Sequence, residues 1–274
     1  MENIQTLFSV EHKVAVLTGG GGLLAAEMAK GFLQAGARVV LLDINESNLQ
    51  KKIELLSPFG KDITGFPCDV LDETSLKKAH LNILERHQRI DILVNAAGGN
   101  MPGATIGLDQ TVFDLQIDQL KKVTDLNLHG TILPTLIFGR TMANQKNGSI
   151  INISSMASYR SISRVMGYSV AKGAIDNFTK WMAVELAQKF GNGIRVNAIA
   201  PGFLLTDQNR TLLTNEDGSL TERGKNVIRM TPFKRFGDPK ELVGTVLWLS
   251  SPASQFVTGT VIPIDGGFSI ASGV

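Results

Sequence analysis

Short apolar runs rich in β-branched residues alternate along the chain with longer segments whose apolar residues recur every three to four positions. The short runs predict strands at residues 14–18, 38–43, 63–68, 92–95, 149–154, 195–200 and 261–264. The longer segments predict helices, including those at residues 23–35, 48–56, 76–87, 119–141, 166–190 and 239–249. Continuous apolar strands bounded by helices are typical of a parallel sheet covered on both faces. The pattern therefore predicts a doubly wound α/β fold, in which ligands bind beyond the carboxyl ends of the strands.

The composition favours a single soluble domain. The chain has 274 residues, of which 43% are apolar, and no linker or internal repeat divides it. Its net charge of +2 is dispersed along the sequence, which gives no support to nucleic-acid binding. We find no signal peptide and no apolar stretch near the roughly 20 residues that span a bilayer. We expect one cytoplasmic domain over residues 1–274, without a membrane partner, in which the lone Cys68 is an inert core thiol.

Tyr168 and Lys172 lie four residues apart in the predicted helix at 166–190, so their side chains leave the same face. An ammonium near a phenol favours the phenolate and would lower the pKa of Tyr168 from its ordinary value of about 10. Such a tyrosine can exchange a proton with an alcohol near neutral pH. The same spacing also fits a tyrosine that packs on a lysine stem, so the pair takes its meaning from the rest of the chain.

A glycine-rich loop follows the first predicted strand and leads directly into a helix. Gly19, Gly21 and Gly22 let the backbone approach a pyrophosphate, and the free amides of the helix start favour the anion. The second strand ends at Asp43, where a carboxylate suits the adenosine ribose hydroxyls and repels the 2′-phosphate of NADP. We therefore predict NAD rather than NADP. The alternative is a solvent-facing Asp43 that only begins a turn.

These motifs, in this order, resemble the short-chain dehydrogenase/reductase family over nearly the whole chain. The resemblance implies a single-domain Rossmann fold and a catalytic tetrad of Asn127, Ser155, Tyr168 and Lys172. It implies that Asp69 and Val70 border the adenine, that residues 95–98 admit the ribose, and that residues 197–202 lie beside the nicotinamide. The implied cofactor contacts are Gly19, Gly21, Gly22, Leu23, Leu24, Asp43, Asp69, Val70, Asn95, Ala96, Ala97, Gly98, Tyr168, Lys172, Pro201, Gly202, Phe203 and Thr206. No metal is expected in the site.

The chain departs from the family pattern in the glycine loop. The family has Thr-Gly-x-x-x-Gly-x-Gly, and here Leu23 and Ala25 stand where the second and third glycines fall. Gly21 and Gly22 come one or two residues early and would supply the flexibility. The departure bears on the path of the pyrophosphate loop and on Leu23 as a backbone contact.

The resemblance also implies a division of roles. Tyr168 protonates the developing alkoxide during carbonyl reduction, and Ser155 holds the substrate oxygen. Lys172 lowers the pKa of Tyr168 and binds the nicotinamide ribose, while Asn127 positions a water that links Lys172 to solvent. For Ser155 the alternative is a strand-end hydroxyl that caps a turn, and for Asn127 a core amide that distorts a helix.

A long polar segment at residues 203–238 is expected to be a substrate lid. The candidate substrate contacts are Asn100, Arg160, Arg164, Gln208, Asn209 and Arg210. Amide and guanidinium groups suit a hydroxylated anionic substrate, although each arginine also fits a solvated surface position. Segments 200–210, 231–237 and 265–269 are similar to the sugar-acid branch of the family, the D-mannonate oxidoreductases or fructuronate reductases. Gluconate 5-dehydrogenase-like and other polyol activities compete with that interpretation.

Two further expectations concern function and assembly. A regulator that binds NAD(H) without catalysis would need the cofactor site but not the tetrad, so the four residues argue against that class. The resemblance implies a homotetramer in which the helix at 166–190 packs against its copy in a partner subunit. Phe178, Trp181 and Leu186 would supply apolar contacts there, or they would face the chain's own sheet.

Overall fold

The computed structural model describes residues 3–206 and 209–272, and over these residues the chain forms one seven-stranded parallel sheet. The strands are β1 (Val14–Thr18), β2 (Arg38–Asp43), β3 (Ile63–Pro67), β4 (Ile92–Asn95), β5 (Gly148–Ile153), β6 (Ile194–Pro201) and β7 (Val261–Ile264). Their spatial order is β3-β2-β1-β4-β5-β6-β7, and every pairing is parallel. The predicted doubly wound Rossmann-type fold is confirmed.

Helices connect the strands and cover both faces of the sheet. They are α1 (Ile4–Leu7), α2 (Leu23–Gln34), α3 (Glu46–Leu56), α4 (Glu73–His87), α5 (Ile117–Thr124), α6 (Gly130–Gln145), α7 (Met156–Tyr159), α8 (Met166–Phe190), α9 (Arg210–Leu213), α10 (Glu222–Met230) and α11 (Val243–Ser250). Over the part of the chain that the structure describes, none of them is both long and apolar enough to cross a bilayer.

Two apolar cores lie on the two faces, because side chains alternate along each strand. Ala15 and Leu17 of β1 join the core that includes α2, α3 and α11, whereas Val14 and Val16 join the core that includes α4, α6 and α8. All five residues of β1 are fully buried, which explains why the strand is apolar without polar alternation. Burial of a side chain such as Leu17 stabilises the fold by about 1.5–3 kcal/mol relative to exposure.

The strand order reverses beside β1, since β2 and β4 pair with its two opposite edges. In open α/β sheets, a ligand crevice forms at this point, outside the carboxyl ends of the strands. Four predicted strands agree with the structure in both bounds, while β3, β5 and β6 differ by one residue at one or both ends. The topology thus places the ends of β1, β2, β4 and β5 around one crevice.

The helix predicted at 119–141 is wrong as a single element. The structure has α5, a π-helical turn at Asp125–His129, and then α6. The turn has one residue more than an α-helical turn would hold, and the side chain of Asn127 at its centre donates to the Val123 carbonyl at 2.7 Å. Such π turns are frequent at functional sites. The segment predicted as helix 239–249 likewise divides into a 3₁₀ turn, Pro239–Leu242, and α11.

Helix α8 has one face on the sheet and one face toward solvent. Leu186 is buried in the core and Phe178 packs against that core, so neither is free for a partner subunit. Trp181 is 61% exposed, and Val170 and Val184 are exposed on the same helix. Of the three residues expected at an interface between subunits, only Trp181 presents most of its surface.

Candidate functional site

A cavity of about 590 Å³ opens at the carboxyl ends of the strands. It takes residues from the loop after β1, from the ends of β2 to β6, and from the segment after β6. The predicted cofactor residues that line it are Gly19, Gly21, Gly22, Leu23, Leu24, Asp43, Asp69, Val70, Ala96, Ala97, Gly98, Tyr168, Pro201, Gly202 and Thr206. The structure therefore brings most of the predicted cofactor residues together around one cavity.

The turn after β1 requires glycine at its first position. Gly19 has φ +66°, and a Cβ there would lie 2.8 Å from the Cα of Ala97. The Thr18 hydroxyl accepts hydrogen bonds from the N–H groups of Ala96 and Ala97, both at 3.0 Å. Thr18 thus joins the glycine loop to the loop after β4, and Gly19 lets the two backbones touch.

The start of α2 explains how the chain tolerates its departure from the glycine pattern. The Gly22 N–H donates to the Gly19 carbonyl at 2.9 Å, which closes a tight turn before the helix begins at Leu23. Ala25 is only 2% exposed, so a small apolar residue fits where the family has a third glycine. No side chain caps the helix at Gly22. The backbone N–H groups of a helix's first turn have no acceptor within the helix. Leu23 and Leu24, which carry two of these N–H groups, line the cavity, where such groups favour an anion.

Asp43 ends β2 beside this loop. Its Oδ2 accepts from the Gly21 N–H at 2.9 Å, and its Oδ1 accepts from the Asn45 N–H at 2.8 Å. A carboxylate has about four acceptor positions, so both oxygens retain capacity for ribose hydroxyls. Lys52 on α3, two helical turns after Asn45, lines the same cavity and adds a cation to its wall.

Three predicted cofactor residues lie away from the cavity wall. Asn95 is buried, and its Nδ2 donates to Thr135 Oγ1 at 2.8 Å and to Asn152 Oδ1 at 2.9 Å, which ties β4 to α6 and β5. Phe203 turns toward Phe268, and the two rings meet edge to face with centroids 5.1 Å apart. The third is Lys172, which is buried next to Tyr168 and does not itself line the cavity.

Ser155 and Tyr168 contribute two hydroxyls to the cavity wall. Ser155 accepts from the Ala157 N–H at 3.2 Å, as the N-cap of α7. Burial raises the pKa of Tyr168, whereas the neighbouring Ser155 hydroxyl lowers it by less. The expectation of a lowered Tyr168 pKa is therefore wrong for this structure, because removal of the phenol from water outweighs the neighbouring groups.

Lys172 is 4% exposed and lies one helical turn after Tyr168. Its Nζ donates to the Ile153 carbonyl at 2.7 Å and lies 5.4 Å from the centre of the Tyr168 ring. Burial lowers the pKa of Lys172 to about 8, although Asp176, one turn further along α8, opposes the shift. An amine with such a pKa exchanges protons near physiological pH.

Asn127 is held on both sides in the π turn. Its Oδ1 accepts from the Gly99 N–H at 3.0 Å, and its Nδ2 donates to the carbonyl oxygens of Gly99 and Val123. A Cβ on Gly98 would lie 2.7 Å from that Oδ1 and 3.6 Å from Lys172 Nζ. The structure therefore brings Asn127, Gly98 and Lys172 together, as the resemblance implies.

The predicted substrate residues are scattered. Arg160 binds the C-terminal segment, because its Nε donates to the Ser269 carbonyl at 2.8 Å and its Nη2 to the Ala271 carbonyl. Asn100 donates to Thr105 and does not line the cavity, and the side chain of Arg210 is exposed. Arg160 and Arg164 instead line a separate surface groove with a volume of about 360 Å³.

Asn209 lines the cavity, but both ends of its amide are engaged. Its Oδ1 accepts from the Thr206 N–H and its Nδ2 donates to the Leu204 carbonyl, both at 2.8 Å. It therefore holds the backbone at Leu204 and Thr206 in place. Gln208 lies outside the described residues.

Several cavity residues escaped the sequence analysis. They are Ala25, Ile44, Asn48, Lys52, Cys68, Leu126, Ile153, Ser154 and Leu204. Asn48 and Lys52 are four residues apart on the helix that follows Asp43, so helical spacing was a usable signal for both. Apolar residues such as Ile153 carry no such signal, because in the sequence an apolar residue that lines a cavity looks the same as one in the core.

The donor set fits a nicotinamide dinucleotide. Uncapped amides at the start of α2 suit a pyrophosphate, and the Asp43 carboxylate suits ribose hydroxyls. Gly19 and Gly98 leave room where a Cβ would meet the neighbouring backbone or side chain. Asp69 and Val70 form the wall beyond β3, at the far end of the cavity from Tyr168 in strand order.

Comparisons with known proteins agree with this geometry. Over residues 22–269, the chain matches the family model described as enoyl-(acyl carrier protein) reductase. An oxidoreductase of Bacillus subtilis, itself uncharacterized, is 41% identical over 271 residues, with 96% of each chain covered.

Two crystal structures are also similar to the chain. One is a Haemophilus influenzae protein provisionally assigned as a D-mannonate oxidoreductase, with bound NAD. It has a TM-score of 0.91 and 38% identity, over 99% of this chain and 100% of that one. The other is a gluconate 5-dehydrogenase from Burkholderia cenocepacia with NADP and tartrate. It has a TM-score of 0.86 and 29% identity, over 97% of this chain and 99% of that one.

Proposed function

The chain belongs to the short-chain dehydrogenase/reductase family, and from that membership we propose that it is an NAD-dependent oxidoreductase acting on a sugar acid. The reaction would interconvert D-mannonate and D-fructuronate. One observation carries the proposal: the hydroxyls of Ser155 and Tyr168 lie on the wall of the cavity that also holds the glycine loop and Asp43.

Tyr168 is suited to act as an acid. Its raised pKa keeps the phenol protonated near neutral pH, so it can donate the proton to an alkoxide that develops as the substrate carbonyl is reduced. The Ser155 hydroxyl donates a hydrogen bond to the same oxygen and fixes its position. A bound nicotinamide supplies the hydride, and the protein supplies the proton and the alignment.

In the proposed mechanism, Lys172 and Asn127 return a proton to Tyr168 after it has protonated the substrate. Lys172 is buried with a pKa of about 8, so it can pass a proton to the Tyr168 phenolate and regain one. The Asn127 amide and the Lys172 ammonium both lie beside Gly98. The hydrogen bond from the Gly99 N–H holds the amide in that position. We assign these two residues to proton return and Lys172 also to the nicotinamide ribose.

NAD is the proposed cofactor because of Asp43, whose charge opposes a 2′-phosphate. The Haemophilus structure contains NAD, which supports this choice, although the Burkholderia structure contains NADP. Lys52, which lines the same cavity, carries a positive charge that would favour a 2′-phosphate. The preference therefore depends on the balance between these two side chains.

A second candidate activity is that of a gluconate 5-dehydrogenase, and the likeness to the Burkholderia enzyme favours it. Both substrates are hydroxylated six-carbon monocarboxylates, so the same cavity would serve either. Both acids react at C5, and D-mannonate and D-gluconate differ in configuration only at C2, next to the carboxylate.

The test is a steady-state assay of NADH and NADPH oxidation with D-fructuronate, 5-keto-D-gluconate and neutral ketoses. We expect the highest kcat/KM for D-fructuronate with NADH. A higher value for 5-keto-D-gluconate would favour the second activity. Binding of NADH without turnover on any compound would favour a regulator and contradict the proposal.

A further inference from the structure

Two arginines that belong to different elements approach each other at the connection between Ser155 and Tyr168, two residues that line the cavity. Arg164 lies in the connection between Ser155 and Tyr168, and Arg223 lies in the first turn of α10. Arg223 Nη1 is 3.4 Å from Ser163 Oγ. Burial lowers the pKa of Arg223, and the charge of Arg164 lowers it further. The fold therefore holds two like charges together in partly desolvated positions.

Each arginine is positioned by backbone contacts. Arg164 has φ +73°, and its carbonyl accepts from the Ile106 N–H at 2.9 Å, while its own Nε donates to the Ile106 carbonyl. A non-glycine residue in this conformation costs about 1 kcal/mol or more, so the surrounding contacts must hold it. Arg164 is thus placed by the loop after β4, four residues before Tyr168.

Helix α10 is linked to the cavity wall through α9. The Thr221 N–H donates to the Leu213 carbonyl at 3.1 Å, and a Cβ on Gly224 would lie 2.2 Å from that carbonyl oxygen. α9 begins next to Asn209, which lines the cavity. Arg223 is therefore carried by the 203–238 segment, and it meets the body of the protein at the connection between Ser155 and Tyr168.

Across residues 3–206 and 209–272, no carboxylate forms an ion pair with Arg164 or Arg223. Glu222 is adjacent in sequence, but it pairs with Lys225 at 2.7 Å and is strongly exposed. Desolvation of two like charges costs free energy that an anion bound between them would offset.

We propose that Arg164 and Arg223 bind the carboxylate of a substrate that extends from the cavity to the groove lined by Arg164, with Arg223 as the specificity-determining residue on the 203–238 segment. This inference rests on the proposed function, since it assigns the acid end of that substrate. Guanidinium groups present paired N–H donors that match a carboxylate, and the amino end of α10 adds favourable partial charge. Arg160 takes no part, because its donors bind the C-terminal segment.

The test compares D-fructuronate with D-fructose, which has a hydroxymethyl group in place of the carboxylate. In Arg223→Gln, we expect KM for D-fructuronate to rise about 10- to 100-fold, the range for loss of a hydrogen bond to a charged group. The KM for NADH and the kcat/KM for D-fructose should stay within about twofold. Arg229→Gln is the matched control, since Arg229 is an exposed residue of the same helix whose side chain donates to Asn226 at 3.4 Å.

A binding measurement separates this inference from the proposed function. Titration of D-mannonate and D-gluconate into the NADH-loaded protein should show at least about tenfold weaker binding to Arg223→Gln than to the wild type. Equal binding, or an unchanged KM for D-fructuronate, would overturn the carboxylate site. If the wild type binds the acids through Arg223 but turns over none of the ketoses, the carboxylate site stands and the proposed reaction fails. Arg164→Lys, which keeps the charge without the paired donors, should give an intermediate loss.

Discussion

The Asp43 carboxylate accepts a hydrogen bond from the Gly21 N–H at 2.9 Å and so joins the end of β2 to the glycine loop. The residue that confers negative charge on the proposed ribose site therefore also holds the loop proposed to bind the pyrophosphate. Its second oxygen accepts from Asn45 and orients the start of α3, the helix that carries Lys52. Cofactor preference and loop geometry are coupled through one side chain.

Asp43→Asn should move cofactor preference toward NADP. The amide oxygen can still accept from Gly21, while the repulsion of a 2′-phosphate is lost, so we expect the ratio of kcat/KM for NADP to that for NAD to rise about tenfold or more. In the double variant Asp43→Asn/Lys52→Ala, most of this increase in the NADP-to-NAD ratio should be lost, because the Lys52 ammonium no longer attracts the 2′-phosphate. An unchanged ratio in Asp43→Asn would show that Asp43 does not select the cofactor.

Tyr168→Phe should abolish most of the activity without disturbing the fold. The ring remains, but the transferable proton is gone, so turnover should fall by about 10²-fold or more while NADH binding persists. The only other tyrosine, Tyr159, bonds the Val261 carbonyl at 3.0 Å and provides the control. Tyr159→Phe should keep near wild-type turnover, and wild-type turnover in Tyr168→Phe would contradict the assignment.

Gly98→Ala should impair both activity and stability. The new Cβ would lie 2.7 Å from Asn127 Oδ1, and Asn127 cannot retreat because its amide is bonded on both sides. We expect a loss of about 1–3 kcal/mol in the free energy of unfolding and a clear drop in kcat. Gly244→Ala, in an exposed turn of α11 with open space around it, should cost no stability. Equal melting temperatures for the two variants would rule out the close contact.

Lys172 should make stability rise with pH. Its folded pKa is about 8 and its ordinary value is 10.5, so between these values the unfolded chain binds more protons than the folded one. The wild type should gain free energy of unfolding relative to Lys172→Met as the pH rises from 7.5 to 10, by up to about 3 kcal/mol. Urea unfolding at both pH values measures the difference. A constant difference would mean that Lys172 titrates normally.

Trp181→Glu should weaken the expected tetramer. The side chain is 61% exposed on α8 and large enough to anchor an apolar interface, and a buried carboxylate there would be costly. We expect smaller species in analytical ultracentrifugation. Leu55→Glu on α3, where the leucine is also 61% exposed, tests whether any exposed apolar residue has this effect. A tetramer that survives Trp181→Glu would place the interface elsewhere.

The sequence by itself determined the sheet and the order of the site along the chain. Strand bounds such as 14–18 and 92–95 follow from local apolar runs, and the spacing of Tyr168 and Lys172 is a property of one helix. Because parallel strands end at one edge, Gly19, Asp43 and Ser155 were bound to meet there once the alternation of strands and helices was recognised. Local periodicity was sufficient for these features.

Only the tertiary structure decided what the side chains do. Burial lowers the pKa of Lys172 and raises that of Tyr168, and burial is set by contacts from many elements. Arg160 binds carbonyls more than 100 residues away, and Arg223 meets Ser163 across 60 residues. The charge of a residue follows from its type, but its partners and its desolvation depend on contacts between distant parts of the chain. Such contacts leave no repeating pattern in the sequence.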